Sequence, residues 1–286
     1  MALLLLATVN GKVVRLNTET QEYQVVFQSS EDEPMMGICQ HEDMLFVASL
    51  SRVYKIRRRD FSLLKKTRLF IPSPDFHQMN FYNGRLYATA TKRNQIWIYD
   101  EDLKLRQKIR IKPPIPNHRI KYKKNYNHIN NIVKHEGAFY INLNWLNDEQ
   151  YANSGVLKTD ENFNEIERFP FAWESHDFQF ADGKMMAICS TSGKDKKILH
   201  PNTSGLMMEG ELVWEHNPDE SFCKALCHDD RYIFFCGGQK ASREKRKNTP
   251  GVIYVIDRST FKLVKKITDN QLKGVRGAIL DTHPAV

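Results

Sequence analysis

The sequence predicts an all-β chain folded as a six-bladed β-propeller. Three observations predict it: a repeated four-strand unit, tight polar turns between its strands, and two incomplete units at the ends that complement each other. The hairpin closing each unit is the clearest copy. Residues 11–17, 53–60, 96–102, 156–160 and 252–257 are short runs rich in β-branched residues, most of them ending at an Asp or Asn turn. Each is followed by a second alternating run, at 23–27, 63–67, 105–109, 166–169 and 263–267, which is a hairpin signal. Residues 211–215 are expected to form a degenerate sixth copy.

A second hairpin precedes each of these. Residues 77–81 lead through Tyr82-Asn83-Gly84 into 85–89, and residues 176–180 lead through Ala181-Asp182-Gly183 into 184–189. Aligned on such turns, the first strands open at Met36, His77, His128, His176, Cys223 and Arg276, with a longer turn after His128 through Lys134-His135-Glu136-Gly137. These anchors recur every 41 to 53 residues, and 46 residues separate 276 from 36 across the junction of the ends. Propeller blades take about 40–50 residues each. Residues 2–27 supply three strands without a first, and residues 275–280 supply a first strand without partners. Pairing them closes the ring and removes its open edges.

With 41% apolar and 11% aromatic residues and no Pro/Gly/Ser linker, residues 1–286 are expected to form a single domain. The opening run 1–7 lacks a basic start and leads directly into Asn10-Gly11, so it is read as a buried strand rather than an export signal. No run approaches the ~18 apolar residues of a membrane-spanning helix. Five cysteines, an odd number lying mostly in expected strands, fit reduced thiols in a cytoplasmic protein. Asn202-Thr203-Ser204 matches a glycosylation sequon by letters only.

The net charge of +8 attracts polyanions without specificity, and basic clusters occur at 57–59, 121–124 and 240–247. The first falls at a turn on the face opposite the other two, so the clusters make no stripe and are expected to be solvated; nucleic acid is the less favoured partner. Sequence patterns for a nucleophile elbow, a phosphate-binding glycine loop, a zinc-protease helix and paired CxxC motifs are absent. Cys223 or Cys227 beside a histidine is a weak candidate nucleophilic pair.

In such a ring the first residues of the innermost strands gather at one mouth of the central channel. The long segments 110–127, 144–155, 191–205 and 237–251 open on that same face, and long loops in compact domains carry function. His77, His128 and His176 are therefore candidate ligands of a divalent transition metal, for which imidazole suits iron, zinc, manganese and copper alike. Three nitrogens would leave positions open for water or substrate. His118 is a candidate fourth ligand, and Asp177, Asn127, Asn130 and Asn131 are candidates to orient the rings. Arg276 and Lys224 make the other half of the mouth cationic, matching an anionic small molecule that Asn130 and Asp177 would also contact. As a structural alternative, Arg276 would pair with Asp177 or Asp281. His41, His135 and His228 are expected to be solvated on the opposite face, and His200, His216 and His283 to lie in loops or near the C-terminus.

Taken whole, the chain resembles the six-bladed propellers grouped around NHL repeats, SMP-30/gluconolactonase and strictosidine synthase, through elements such as Gly84-Arg85-Leu86-Tyr87 followed by Ile96-Trp97-Ile98-Tyr99-Asp100. His128-Ile129-Asn130-Asn131-Ile132, Ser175-His176-Asp177-Phe178 and Val275-Arg276-Gly277-Ala278 are similar to motifs of uncharacterised bacterial propellers. The metal-dependent SMP-30 members use acidic and amide ligands, whereas the anchors here are histidine, methionine, cysteine and arginine, so the resemblance implies architecture and not lactonase activity. The expectation is a small-molecule enzyme or binding protein with a histidine-lined, metal-binding pocket for an anion. The alternative is a non-catalytic scaffold that grips a protein or polyanion with its long basic loops.

Overall fold

The computed structural model describes residues 2–31, 33–113, 125–146, 153–190, 203–242 and 244–282. Among them, 24 strands form six antiparallel four-stranded sheets arranged in a ring, a six-bladed β-propeller. Blade one contains β1 (Leu3–Thr8), β2 (Lys12–Asn17) and β3 (Tyr23–Gln28). Blade two is β4 (Met35–His41), β5 (Met44–Ser49), β6 (Val53–Arg57) and β7 (Leu63–Lys66). Blade three is β8 (Phe76–Tyr82), β9 (Arg85–Ala90), β10 (Gln95–Asp100) and β11 (Leu105–Arg110). Blade four is β12 (Ile129–His135), β13 (Ala138–Leu143), β14 (Asn153–Thr159) and β15 (Glu165–Trp173). Blade five is β16 (Phe178–Ala181), β17 (Lys184–Cys189), β18 (Ser204–Met208) and β19 (Glu211–His216). Blade six is β20 (Ser221–His228), β21 (Tyr232–Gln239), β22 (Pro250–Asp257) and β23 (Leu263–Lys273). The last strand, β24 (Val275–Leu280), pairs with β1 as the innermost strand of blade one and closes the ring.

The pattern of the sequence explains both layers of this architecture. Inner and middle strands are apolar on both faces because each sheet is covered by a neighbour on either side. The opening leucines are an example: Leu4, Leu5 and Leu6 are fully buried in β1. Leu4 and Leu6 pack toward blade six and Leu5 toward blade two, so alternate side chains serve different interfaces. The outermost strands are solvated, β7 along its whole length. The inner hairpins turn on two residues with positive φ, Asn83-Gly84 (48° and 70°) and Asp182-Gly183 (51° and 74°), whose twist matches that of the flanking strands.

Three expectations are corrected. The turn after β12 is not longer than its counterparts: His135 pairs with Ala138 across the two residues Glu136-Gly137. Residues 211–216 are the outermost strand of blade five, and their hairpin partner is β18 across Glu209-Gly210. The cluster 57–59 is not fully solvated, because Arg58 is 4% exposed and pairs with Asp281, which also meets Arg15 at 2.7 Å. This clasp ties β2, the β6–β7 turn and the residue after β24 together, and it takes the carboxylate considered for Arg276. All five cysteines are free and buried. Among the described residues no helix is long and apolar enough to cross a membrane.

Candidate functional site

Five of the six innermost strands lose register with their neighbours near the same end, and the residues at these irregularities build the mouth of the channel. Met36-Gly37 in β4, His77-Gln78 in β8, Asn130 in β12, Lys224 in β20 and Arg276 in β24 each sit at a β-bulge. A bulge leaves one residue out of the ladder and re-aims its side chain, which is why bulges recur beside binding sites. In blade five the equivalent residues His176 and Asp177 lie just ahead of β16.

This register alters the expected histidine set. Asn130, not His128, occupies in β12 the place that His77 has in β8. His128 precedes its strand in a left-handed conformation (φ 48°), a region in which histidine is more common than most residues. From there it reaches the rim, stacks on Trp145 with centroids 5.0 Å apart, and meets His77 edge to face at 5.4 Å. Its Nδ1 shares a 2.8 Å hydrogen bond with the Asn125 side-chain amide.

The mouth holds a cavity of about 470 Å³ lined by all three histidines. That volume falls in the range of small-molecule sites. Lys92, Lys224, Arg246, Lys247 and Arg276 line it, opposed by Asp75 and Glu174 among the described residues. Asp75 lies 3.8 Å from Lys92 and 3.9 Å from His77 Nε2. A smaller throat with room for about one water-sized group shares Met36, His77, His176, Lys224 and Arg276 with this cavity and is lined also by Gln78. Among the described residues neither Lys224 nor Arg276 has a carboxylate within ion-pair distance. Lys224 also lies over the Phe222 ring, 5.1 Å from its centroid.

Burial and like charge set the protonation of this group. Burial, then the positive charge of Arg276 and Arg246, hold Lys224 well below the usual lysine range. Burial first and Arg246 second bring Arg276 down to about 10. Burial, reinforced by Lys224, holds both His77 and His176 well below the usual imidazole range, so both rings are neutral at pH 7.

Blade four fixes His176 from behind. The Asn130 side-chain amide donates to the Ser175 carbonyl at 2.9 Å and to His176 Nδ1 at 3.2 Å. Asn144 donates to the same carbonyl at 3.0 Å, and Asn142 to the Ser175 hydroxyl at 2.7 Å. Asn130 thus stands behind the pocket as a support for His176. Asp177 is likewise turned to structure: its carboxylate accepts from the Asn131 amide and the Leu226 backbone N–H, joining blades four, five and six. Its burial raises its pKa to about 8.

The remaining expected residues separate clearly. Among the described residues no group of three or more His, Cys, Asp or Glu side chains is arranged to hold a metal ion. His77 and His128 meet edge to face, and Lys224 and Arg276 crowd His77 and His176 with positive charge. His118 lies outside the described residues, as do Lys121, Lys123, Lys124, His200, Asn202 and His283. Cys223 and Cys227 are buried thiols pushed upward by desolvation, Cys223 to about 12, which opposes a thiolate nucleophile. His41 and His135 are partly exposed and stack on Phe81 and Phe180 of the next blades at 4.1 and 4.0 Å, and His228 Nε2 meets the Phe180 carbonyl at 3.0 Å. His216 lies at the end of β19 against Trp214 and Tyr254, not in a loop. Arg246 and Glu174 were missed as pocket residues; the loop between β21 and β22 brings Arg246 over Phe222, 4.6 Å from the ring centroid.

No family model matches the chain, and no curated protein sequence matches it. Solved structures resemble its fold. A Bacteroides caccae protein of unknown function superposes with a TM-score of 0.68 at 14% identity, covering 99% of this chain and 100% of that one. A chain of the nidogen/laminin complex gives 0.66 at 9% identity, covering 100% and 99%. A catalytically inactive virginiamycin B lyase from Staphylococcus aureus, solved with quinupristin, gives 0.54 at 13% identity, covering 80% and 71%. At these identities the likeness concerns architecture alone.

Proposed function

We propose that the chain captures a small anionic molecule at the histidine mouth of the ring and holds it against the neutral imidazoles of His77 and His176. The observation that carries this reading is the convergence of Lys224 and Arg276, from blades six and one, on one throat with no carboxylate within ion-pair distance among the described residues. Two basic groups forced together in a partly desolvated site disfavour each other's charged form, and a bound oxyanion favours it again while filling donors that protein groups leave open. Trp145, Phe222 and His128 supply flat surfaces for the body of the ligand.

Neutral histidines beside a bound anion are equipped for proton transfer, so the reading includes an acid–base enzyme as well as a binding protein. It routes no step through a metal. The resemblance to the NHL, SMP-30 and strictosidine synthase group adds an architecture and no activity. The five free, buried thiols support a reducing, cytoplasmic setting.

The test is a calorimetric and thermal-shift screen of small carboxylates, phosphates and sulfates on the intact protein and on Arg276→Met. A ligand that stabilises the parent and loses at least about tenfold in affinity in the variant supports the reading, that being the scale of a hydrogen bond to a charged group. Equal binding by both proteins, or binding confined to macromolecular polyanions, overturns it in favour of a scaffold.

A further inference from the structure

His176 lines the throat and has a ring atom that the fold leaves without a partner. The residue is 8% exposed, and Nε2 is buried with no hydrogen-bond partner among the described residues. Nδ1, at the other side of the ring, faces the Asn130 amide. The orientation of that amide follows from its second contact: the same group lies 2.9 Å from the Ser175 carbonyl, which only accepts, so its nitrogen must face it. The nitrogen's other hydrogen then points to His176 Nδ1, making Nδ1 an acceptor. A neutral imidazole that accepts at Nδ1 carries its proton on Nε2.

Resting on the anion-pocket reading above, we propose that the throat takes in one oxygen of an oxyanion, carboxylate or phosphate, whose remaining atoms stay in the wider cavity, and that His176, fixed by Asn130 as the Nε2–H tautomer, donates to that oxygen, drawn in by Lys224 and Arg276. Three donors from three blades converge there: the imidazole N–H, the ammonium and the guanidinium. The one amide among the lining residues, Gln78, spends its N–H on the Arg276 backbone carbonyl at 2.8 Å. A neutral amide brings no negative charge to offset Lys224 and Arg276, so it binds more weakly although its shape matches a carboxylate. The small volume orients the ligand, anion inward and body outward. Asn130 acts as a positioning residue, and His176 here is a hydrogen-bond donor rather than a base.

Long-range ¹H–¹⁵N correlation spectra of the intact ¹⁵N-labelled protein at pH 7 report the His176 tautomer directly, with inorganic phosphate, acetate and acetamide as probes. The expected result is a neutral His176 protonated at Nε2, whose Nε2 resonance moves on adding phosphate or acetate and moves less with acetamide at the same concentration. Asn130→Asp presents only acceptors to Nδ1; it should transfer the proton to Nδ1 and weaken oxyanion binding about tenfold or more. Should that variant fail to fold, His176→Gln, which keeps a side-chain N–H, should retain more affinity than His176→Met. Phosphate or acetate binding with the proton on Nδ1, or with His176→Gln and His176→Met equally weak, overturns this inference and leaves the anion pocket standing. Failure of both oxyanions to bind the parent protein overturns the pocket reading itself.

Discussion

Gly37 lies against the backbone of His77 so closely that a β-carbon on it would fall inside the van der Waals surface of the His77 carbonyl oxygen and 2.8 Å from Gln78 Cα. The same approach recurs one step round the ring, where a β-carbon on Gly277 would lie 2.7 Å from the Met36 carbonyl oxygen. Glycine thus lets β24, β4 and β8 pack backbone to backbone and sets Arg276, Met36 and His77 on one narrow rim. Gly37→Ala should destabilise by about 1–3 kcal/mol, as overpacking does. Chemical denaturation of the variant measures it, and a loss of anion affinity should accompany it because His77 is displaced.

The clasp on Asp281 should be worth far more than any surface pair. Asp281→Asn leaves Arg15 and the 4%-exposed Arg58 without their counter-charge, at a cost of about 3–5 kcal/mol. Asp60→Asn, which breaks an exposed surface pair with Arg57 at 3.1 Å, should move the unfolding midpoint far less. Urea midpoints of the two variants make the comparison.

Acid should weaken the fold through His216. Its pKa is lowered to about 4, chiefly by burial, while the unfolded chain protonates near 6.5. Between these values the unfolded state holds the extra proton, so stability falls as pH drops from about 6.5 to about 4, by up to about 3 kcal/mol. His77 and His176 act with the same sign. His216→Gln should flatten the stability profile in that window, as equilibrium unfolding at a series of pH values would show.

Ligand capture should take up a proton. Lys224 is held well below its usual range by burial, Arg276 and Arg246, and a neighbouring anion restores its charged form. Affinity should accordingly weaken as pH rises past the lowered value. Calorimetry in buffers of different ionisation enthalpy should show uptake in the parent and none in Lys224→Met.

Removing metal should leave anion binding intact. Lys224 and Arg276 place positive charge beside His77 and His176, which opposes a dication in the same throat. Dialysis against a chelator should not change phosphate affinity; its loss, with recovery on adding zinc or iron, would restore the three-imidazole metal site.

The ring was legible because its signals are local: period-two apolar runs, two-residue turns, and a lone first strand at 275–280 to match three unled strands at 2–27. The site was only half legible, because bulges shift register without changing composition. His77 stands seven residues before Gly84 and His176 seven before Gly183; the same count from Gly137 leads to Asn130, not to His128. Histidine identity outweighed spacing in that choice. Arg58 read as solvated because its partner, Asp281, is 223 residues away in the chain, a contact no local pattern encodes.

Arg276 rides on β24, the strand that locks the circle. A folding intermediate with that strand undocked would carry an unsatisfied sheet edge and, at the same moment, a throat deprived of its guanidinium. Ligand and closure would then be linked by mass action: on the reading proposed above, an oxyanion that binds the completed throat would favour the docked strand over the open ring.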